Sequence, residues 1–346
     1  MNGAVPPNLA SRLSAFEREA LILPVQSALA RLDWLATALG ASVTSVLLLP
    51  LFSSLYWALD APLCLNAIWL VPASEVANGL AKWRVRRPRP GWVDPRVRAL
   101  SWSAEYSFPS SHSQLAFSLA HFFVRASRTP QALTVTPPLP AYAYATAVAL
   151  SRVHAGLHYP SDVIIGSLWG VASAELYHRL LPTLLRLDPG TPAKRLAALS
   201  PPLLLAAAAL LLGYRAALRA ARARPDPRTW RENACSGKHK RRHAALDPIN
   251  EPLGLYTGML GVLFGLGVGI SLKQLLPPLP YPASTRQGLI RALLGNLGLI
   301  TLFETIGALT PRQPTAVYAC LRFLKYASVP MYILLLAPPA FLAVGL

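Results

Sequence analysis

The chain has 346 residues, 53% of them hydrophobic and only 14% charged, with a formal net charge of +18 and a mean hydropathy of +0.38. That composition excludes an ordinary water-soluble globular protein and places the chain among membrane proteins. A nucleic-acid partner is excluded too: the basic residues sit in gaps between apolar runs, where they set topology, meet anionic headgroups or bind phosphate. Three scattered cysteines, Cys64, Cys235 and Cys320, form no C-x-x-C pair and imply neither a disulfide framework nor a metal site.

No cleavable signal peptide is expected, since the first long apolar stretch arrives after residue 33. Within residues 1–33, the stretch from Leu13 to Leu32 sets Phe16, Leu21, Leu23 and Val25 among Glu17, Arg18 and Glu19, a pattern that suits a surface-lying amphipathic helix and a soluble helix equally. Apolar runs then follow at 34–58, 61–80, 112–128, 138–157, 161–183, 197–217, 252–275, 287–310 and 317–345. At about 20 residues per span, they predict an all-α, polytopic membrane bundle of about nine transmembrane helices. The expected segments are a surface piece (1–33), a membrane core (34–217) carrying motifs between 82 and 162, a basic loop (218–250) and C-terminal transmembrane helices (251–346). The weakest spans are 112–128, short and bearing His112 and His121, and 197–217, which opens near Pro201-Pro202. Loss of either inverts everything downstream.

Three fragments carry chemistry. KWRVRRPRP supplies Lys82 and, after six residues, Arg89-Pro90; FPSSHSQ supplies Pro109-Ser110-Ser111-His112; SRVHAGLHYPSDV supplies Ser151-Arg152, then His158, then Asp162. Lys82, a mobile point charge, Arg89, a planar fork, and Arg152 can surround the oxygens of a phosphoryl group. Ser110, with the N–H groups where PSSH enters a helix, adds donors at a ready anion site. Pro160 suits the first position of a helix whose first turn carries Asp162, which can hold His158 in one tautomer. His158 is then placed to attack phosphorus and His112 to protonate the leaving alkoxide. No carboxylate cluster of the kind a magnesium-dependent phosphatase uses is visible, so no metal and no cofactor are expected.

These residues resemble the type 2 phosphatidic acid phosphatase superfamily, whose signature is K-x6-R-P, then P-S-G-H, then S-R-x5-H-x3-D. The resemblance implies a covalent phosphohistidine at His158, oriented by Asp162, with His112 as acid and later as base. Lys82, Arg89, Ser110, Ser111 and Arg152 would bind phosphate. Ser111 stands where the superfamily usually has glycine, which is harmless if the local φ is negative. RRPRPGW, the Glu105-Tyr106 pair and the long C-terminal continuation look like the sphingosine-1-phosphate phosphatase branch. That likeness implies a lipid phosphate monoesterase of the endoplasmic reticulum membrane acting on a sphingoid-base phosphate. Phosphatidic acid, lysophosphatidic acid and isoprenoid diphosphates are the alternative substrates, and a non-catalytic lipid transporter or scaffold is the alternative class.

His154 falls at the wrong spacing and reads as a neighbour of the pocket, while Glu75 and Asn78 share a helical face with Lys82. With nine spans, 24 basic residues fall on the side of the motifs and nine on the other, which points to a cytosolic site. The resemblance implies a lumenal one.

Overall fold

The computed structural model describes residues 9–59, 61–128, 137–186, 190–235, 246–310 and 315–346. Among them every regular element is helical. The N-terminal segment runs through α1 (Leu9–Phe16), a π-helical stretch (Glu17–Ile22) and α2 (Leu23–Ala28). Next come α3 (Asp33–Ala41), α4 (Ser45–Ala58), α5 (Ala61–Val85) and the single turn α6 (Pro90–Val93). The centre holds α7 (Ser111–Ala126), α8 (Pro138–His154) and α9 (Pro160–Arg186). After them lie α10 (Pro192–Ala223), α11 (Arg228–Ala234), α12 (Asn250–Lys273) and α13 (Thr285–Ala308). Last come α14 (Thr315–Met331), a π-helical turn (Tyr332–Leu336) and α15 (Ala337–Ala343).

Five helical stretches among the described residues are long and apolar enough to cross a membrane: Ala61–Val93, Pro192–Ala223, Asn250–Lys273, Thr285–Ala308 and Thr315–Ala343. A sixth is added if Ala30–Ala41 and Val46–Ala58, bent by 48°, form one broken span. The expected nine is therefore not reached. Helices do form at all three central positions, but α7 has 16 residues and α8 has 17, short of a bilayer core about 30 Å thick. α9 is long enough yet carries Asp162, Glu175 and Arg179. The 24-to-nine charge tally rested on nine spans and falls with them. The weak span at 197–217 is, by contrast, one of the five, within α10.

Packing follows the small residues. α7 lies against both α8 and α9. Its contact with α9 is so close that a Cβ at Gly166 would come 2.5 Å from the Ser110 carbonyl oxygen, and one at Gly170 would come 2.2 Å from that of Gln114. α5 crosses α7 and α12, and Gln114 of α7 ties to it by accepting from Asn78 and donating to Ser74 Oγ at 2.6 Å. Buried Trp83, Trp92, Tyr106, Tyr256 and Tyr326 form a second apolar cluster, through which the C-terminal helices rest on α5. Within the expected basic loop at 218–250, the end of α10 and all of α11 are helical, and the described residues 224–227 and 246–249 lie between helices. Residues 236–245, with His239 and His243, lie outside the described residues.

Candidate active site

Five helix ends meet at the site. Lys82 sits in the last turn of α5, where a cation also complements the helix dipole. Arg86 then takes φ 53, the sole positive φ of a non-glycine residue among those described, and turns the chain towards Arg89 at the start of α6. α8 ends at Gly156, whose φ of 68 suits glycine and whose missing Cβ leaves room for the Arg98 carbonyl oxygen. Two residues on stands His158, and Pro160 opens α9 as the sequence predicts. Ser110 caps α7, its Oγ accepting from the Ser113 N–H, and its own N–H donates to the Asp162 carbonyl at 3.1 Å.

The structure brings the three fragments together. Arg89 donates through one terminal nitrogen to the Leu157 carbonyl at 2.9 Å and contacts His158 Nε2 at 3.1 Å, while its Nε donates to the Glu105 carbonyl at 2.6 Å. A guanidinium has no acceptor, so Nε2 must be the unprotonated ring nitrogen and Nδ1 carries the proton. Lys82 Nζ lies 3.4 Å from Ser111 Oγ and pairs with the Glu105 carboxylate, which also accepts from Tyr256 of α12 at 3.2 Å. Half-buried His112, in the first turn of α7, is in electrostatic contact with Arg152, His158, Lys82 and Arg89. Arg152 is buried, and its Nε makes no hydrogen bond among the described residues, leaving a donor for an anion.

Two expectations change in detail. His158 Nδ1 and Asp162 Oδ2 are 3.8 Å apart, too far for a hydrogen bond. The carboxylate instead accepts from Ser107 Oγ and from the Tyr159 N–H at 3.0 Å, and Ser107 Oγ lies 3.5 Å from Nδ1. Ser110, expected among the phosphate donors, has its hydroxyl in the helix cap, 2.9 Å from Ser113 Oγ, so Ser111 is the serine that faces Lys82. Ser111 has an ordinary helical backbone, so glycine is not needed there.

Burial disfavours the charged form of His158 first, and Arg89, Lys82 and Arg152 add to this; its pKa lies well below 6.5. The imidazole therefore stays neutral as pH falls through 6.5. In a nitrogen-15 NMR titration of the free protein, His158 is expected to show a neutral ring at pH 6.5, and a half-protonated ring at that pH would contradict the geometry. Burial pushes the Glu105 carboxyl up, but Lys82 and Arg89 outweigh it and hold the group below the usual range, so it is anionic.

Sequence reasoning missed Arg87, Ser107 and the ion pair of Glu105. Arg87 is one of seven basic residues between 82 and 98, and nothing in its spacing marks it apart from Arg84 or Arg96. His154 turns away, bonded to Asp33 of α3 at 2.9 Å. Asn78 has a packing partner in Gln114, and Tyr106 is held by Asp226 at 2.7 Å. His121 bonds Tyr142 and Glu175, remote from the site residues.

Residues 62–186 match the PAP2 superfamily, and residues 257–346 match the PAP2 superfamily phosphatase transmembrane extension. A decaprenylphosphoryl-5-phosphoribose phosphatase of Mycobacterium tuberculosis (strain ATCC 25618 / H37Rv) is 35% identical over 107 residues, which are 30% of this chain and 55% of that protein. A probable lipid phosphate phosphatase beta of Arabidopsis thaliana is 29% identical over 124 residues, covering 30% of this chain and 58% of that one. The chain thus spans little more than half the length of these relatives. No solved structure matches.

Proposed function

We propose, from the matches of residues 62–186 to the PAP2 superfamily and of residues 257–346 to its transmembrane extension, that the chain is a multi-pass membrane phosphatase of lipid phosphate monoesters. The observation that carries this reading is the convergence of Lys82, Arg89, Arg152, His112 and His158 where α5 and α8 end and α6, α7 and α9 begin.

In the proposed reaction His158 Nε2 attacks phosphorus, a P–N bond forms, and the bond to the lipid oxygen breaks. In the free protein, burial, with Arg152 and the other cations, holds the His112 pKa well below 6.5. The bound phosphate dianion offsets those cations, and His112, protonated in that complex, gives its proton to the leaving oxygen, so the alcohol leaves neutral. The three cations hold the equatorial oxygens as negative charge moves towards the leaving group. Water then attacks the phosphohistidine, His112 takes its proton, the P–N bond breaks, and inorganic phosphate leaves. Asp162 acts through Ser107, which stands between its carboxylate and Nδ1. Ser111 and the N-terminal turn of α7 complete the cradle, and no metal enters any step.

A sphingoid-base phosphate is the substrate we favour. Glu105 is an anionic carboxylate inside a phosphate cradle, adverse for a purely anionic headgroup and a ready partner for an ammonium next to the phosphate. The second reading, a prenyl-linked phosphate, is favoured by the name of the mycobacterial relative. A substrate panel in detergent, with EDTA and without added magnesium, tests both. Wild-type protein is expected to release phosphate fastest from sphingosine-1-phosphate, and Glu105→Gln to lose about tenfold of that preference over phosphatidic acid. Equal rates on all substrates would remove the sphingoid assignment, and a strict magnesium requirement the metal-free mechanism. The endoplasmic reticulum is the location that goes with this substrate.

A further inference from the structure

We infer that residues 9–28 form a clasp that holds the third motif in place, with Glu17 and Arg87 as positioning residues for Asp162, an inference that rests on the phosphatase reading above. The amphipathic pattern of this segment suits a surface helix, yet Glu17, Ile22 and Gln26 are buried against the loops of the site. Gln26 donates to the carbonyls of Arg98 and His154 at 2.7 and 2.8 Å, binding the segment to the loop after α6 and to the third fragment.

Arg87 is the hub. One terminal nitrogen donates to Asp162 Oδ1 at 2.5 Å and to Ser161 Oγ at 2.7 Å; the other donates to Glu17 Oε2 at 2.7 Å and to Ser14 Oγ at 2.8 Å. The Tyr159 ring lies 4.0 Å from its central carbon. Glu17 also accepts the Ser161 N–H at 2.6 Å, so a carboxylate from the N-terminal segment serves one of the unpaired donors at the start of α9. A single planar fork therefore sets the position of two buried carboxylates, one of which fixes the His158 loop through Ser107 and Tyr159. A lysine has no such fork. Arg87 lies inside the residues that match the superfamily, whereas Glu17 lies before them.

The test is a double-mutant cycle on the full chain in detergent, with kcat taken per folded protein recovered by size-exclusion chromatography. Glu17→Gln and Arg87→Ala are each expected to lower kcat about tenfold and leave KM within about twofold, and the double variant to lose about tenfold rather than a hundredfold. Arg87→Lys is expected to recover less than half of the lost kcat. If Arg87→Ala does not fold, Arg87→Lys takes its place in the cycle. Multiplying losses, an unchanged kcat in Glu17→Gln, or a rise in KM alone would overturn the clasp. A His158→Ala protein as active as wild type would instead defeat the phosphatase reading itself.

Discussion

His158→Ala is expected to lower kcat for phosphate release from a lipid monoester by more than about 10³-fold, because no other group can take over the covalent step. Nε2 is the ring nitrogen left without a proton, held 3.1 Å from Arg89, and Lys82 and Arg152 also act electrostatically on the ring. His112→Ala is expected to cost about 10² to 10³-fold on the same substrate, the range of a lost general acid. The two variants separate on a phosphate ester with a good leaving group, such as p-nitrophenyl phosphate. Its phenolate departs without a proton, so His112→Ala should regain much of the first, phosphorylating step, read as a burst of nitrophenolate, while His158→Ala should not. A burst from His158→Ala, or none from His112→Ala, would reverse the two proposed roles.

Gly166→Ala is the second large effect, and it acts through the backbone without altering a side chain of the site. In an exposed helix this change would gain about 1 kcal/mol from propensity. Here the new Cβ would sit 2.5 Å from the Ser110 carbonyl oxygen, a backbone atom that cannot rotate away. Overpacking of this kind costs about 1–3 kcal/mol, so the steric term wins, and α7 has to move from α9. That movement stretches the 3.1 Å hydrogen bond from the Ser110 N–H to the Asp162 carbonyl, the strut between the second and third fragments. A displacement of about 1 Å between reacting groups costs about 10²-fold in rate. The expected result is a folded protein with unchanged helix content by circular dichroism and about a hundredfold lower kcat. Wild-type activity would show that the α7–α9 distance does not govern the reaction.

Much of the site was legible because its parts are short and locally determined. Pro160 starts α9, Ser110 caps α7, and Gly156 ends α8, each by a rule that needs only neighbouring residues. The same holds for helical content, since nine apolar runs can satisfy their backbone polar groups within a membrane only as helices or a closed barrel. The number of spans was not legible, because an apolar run does not disclose whether its polar face is turned to protein. α7 is amphipathic enough to carry Ser111, His112, Gln114 and Ser118, and its length of 16 residues suits burial among α5, α8 and α9.

What the sequence by itself determined, then, is the helical membrane class and the identity of the groups in three fragments that the fold brings together. Only the tertiary structure decided how those groups are linked. An i,i+4 pair such as His158 and Asp162 looks like a direct hydrogen bond in sequence, yet the distance is 3.8 Å and Ser107, fifty-one residues upstream of the histidine, fills the gap. Arg87 and Glu17 are seventy residues apart and share one carboxylate–guanidinium contact. Such contacts depend on the approach of chain segments that no local spacing encodes. The physical reason is that side-chain charge is distributed along the sequence without direction, and folding alone determines which partner it meets.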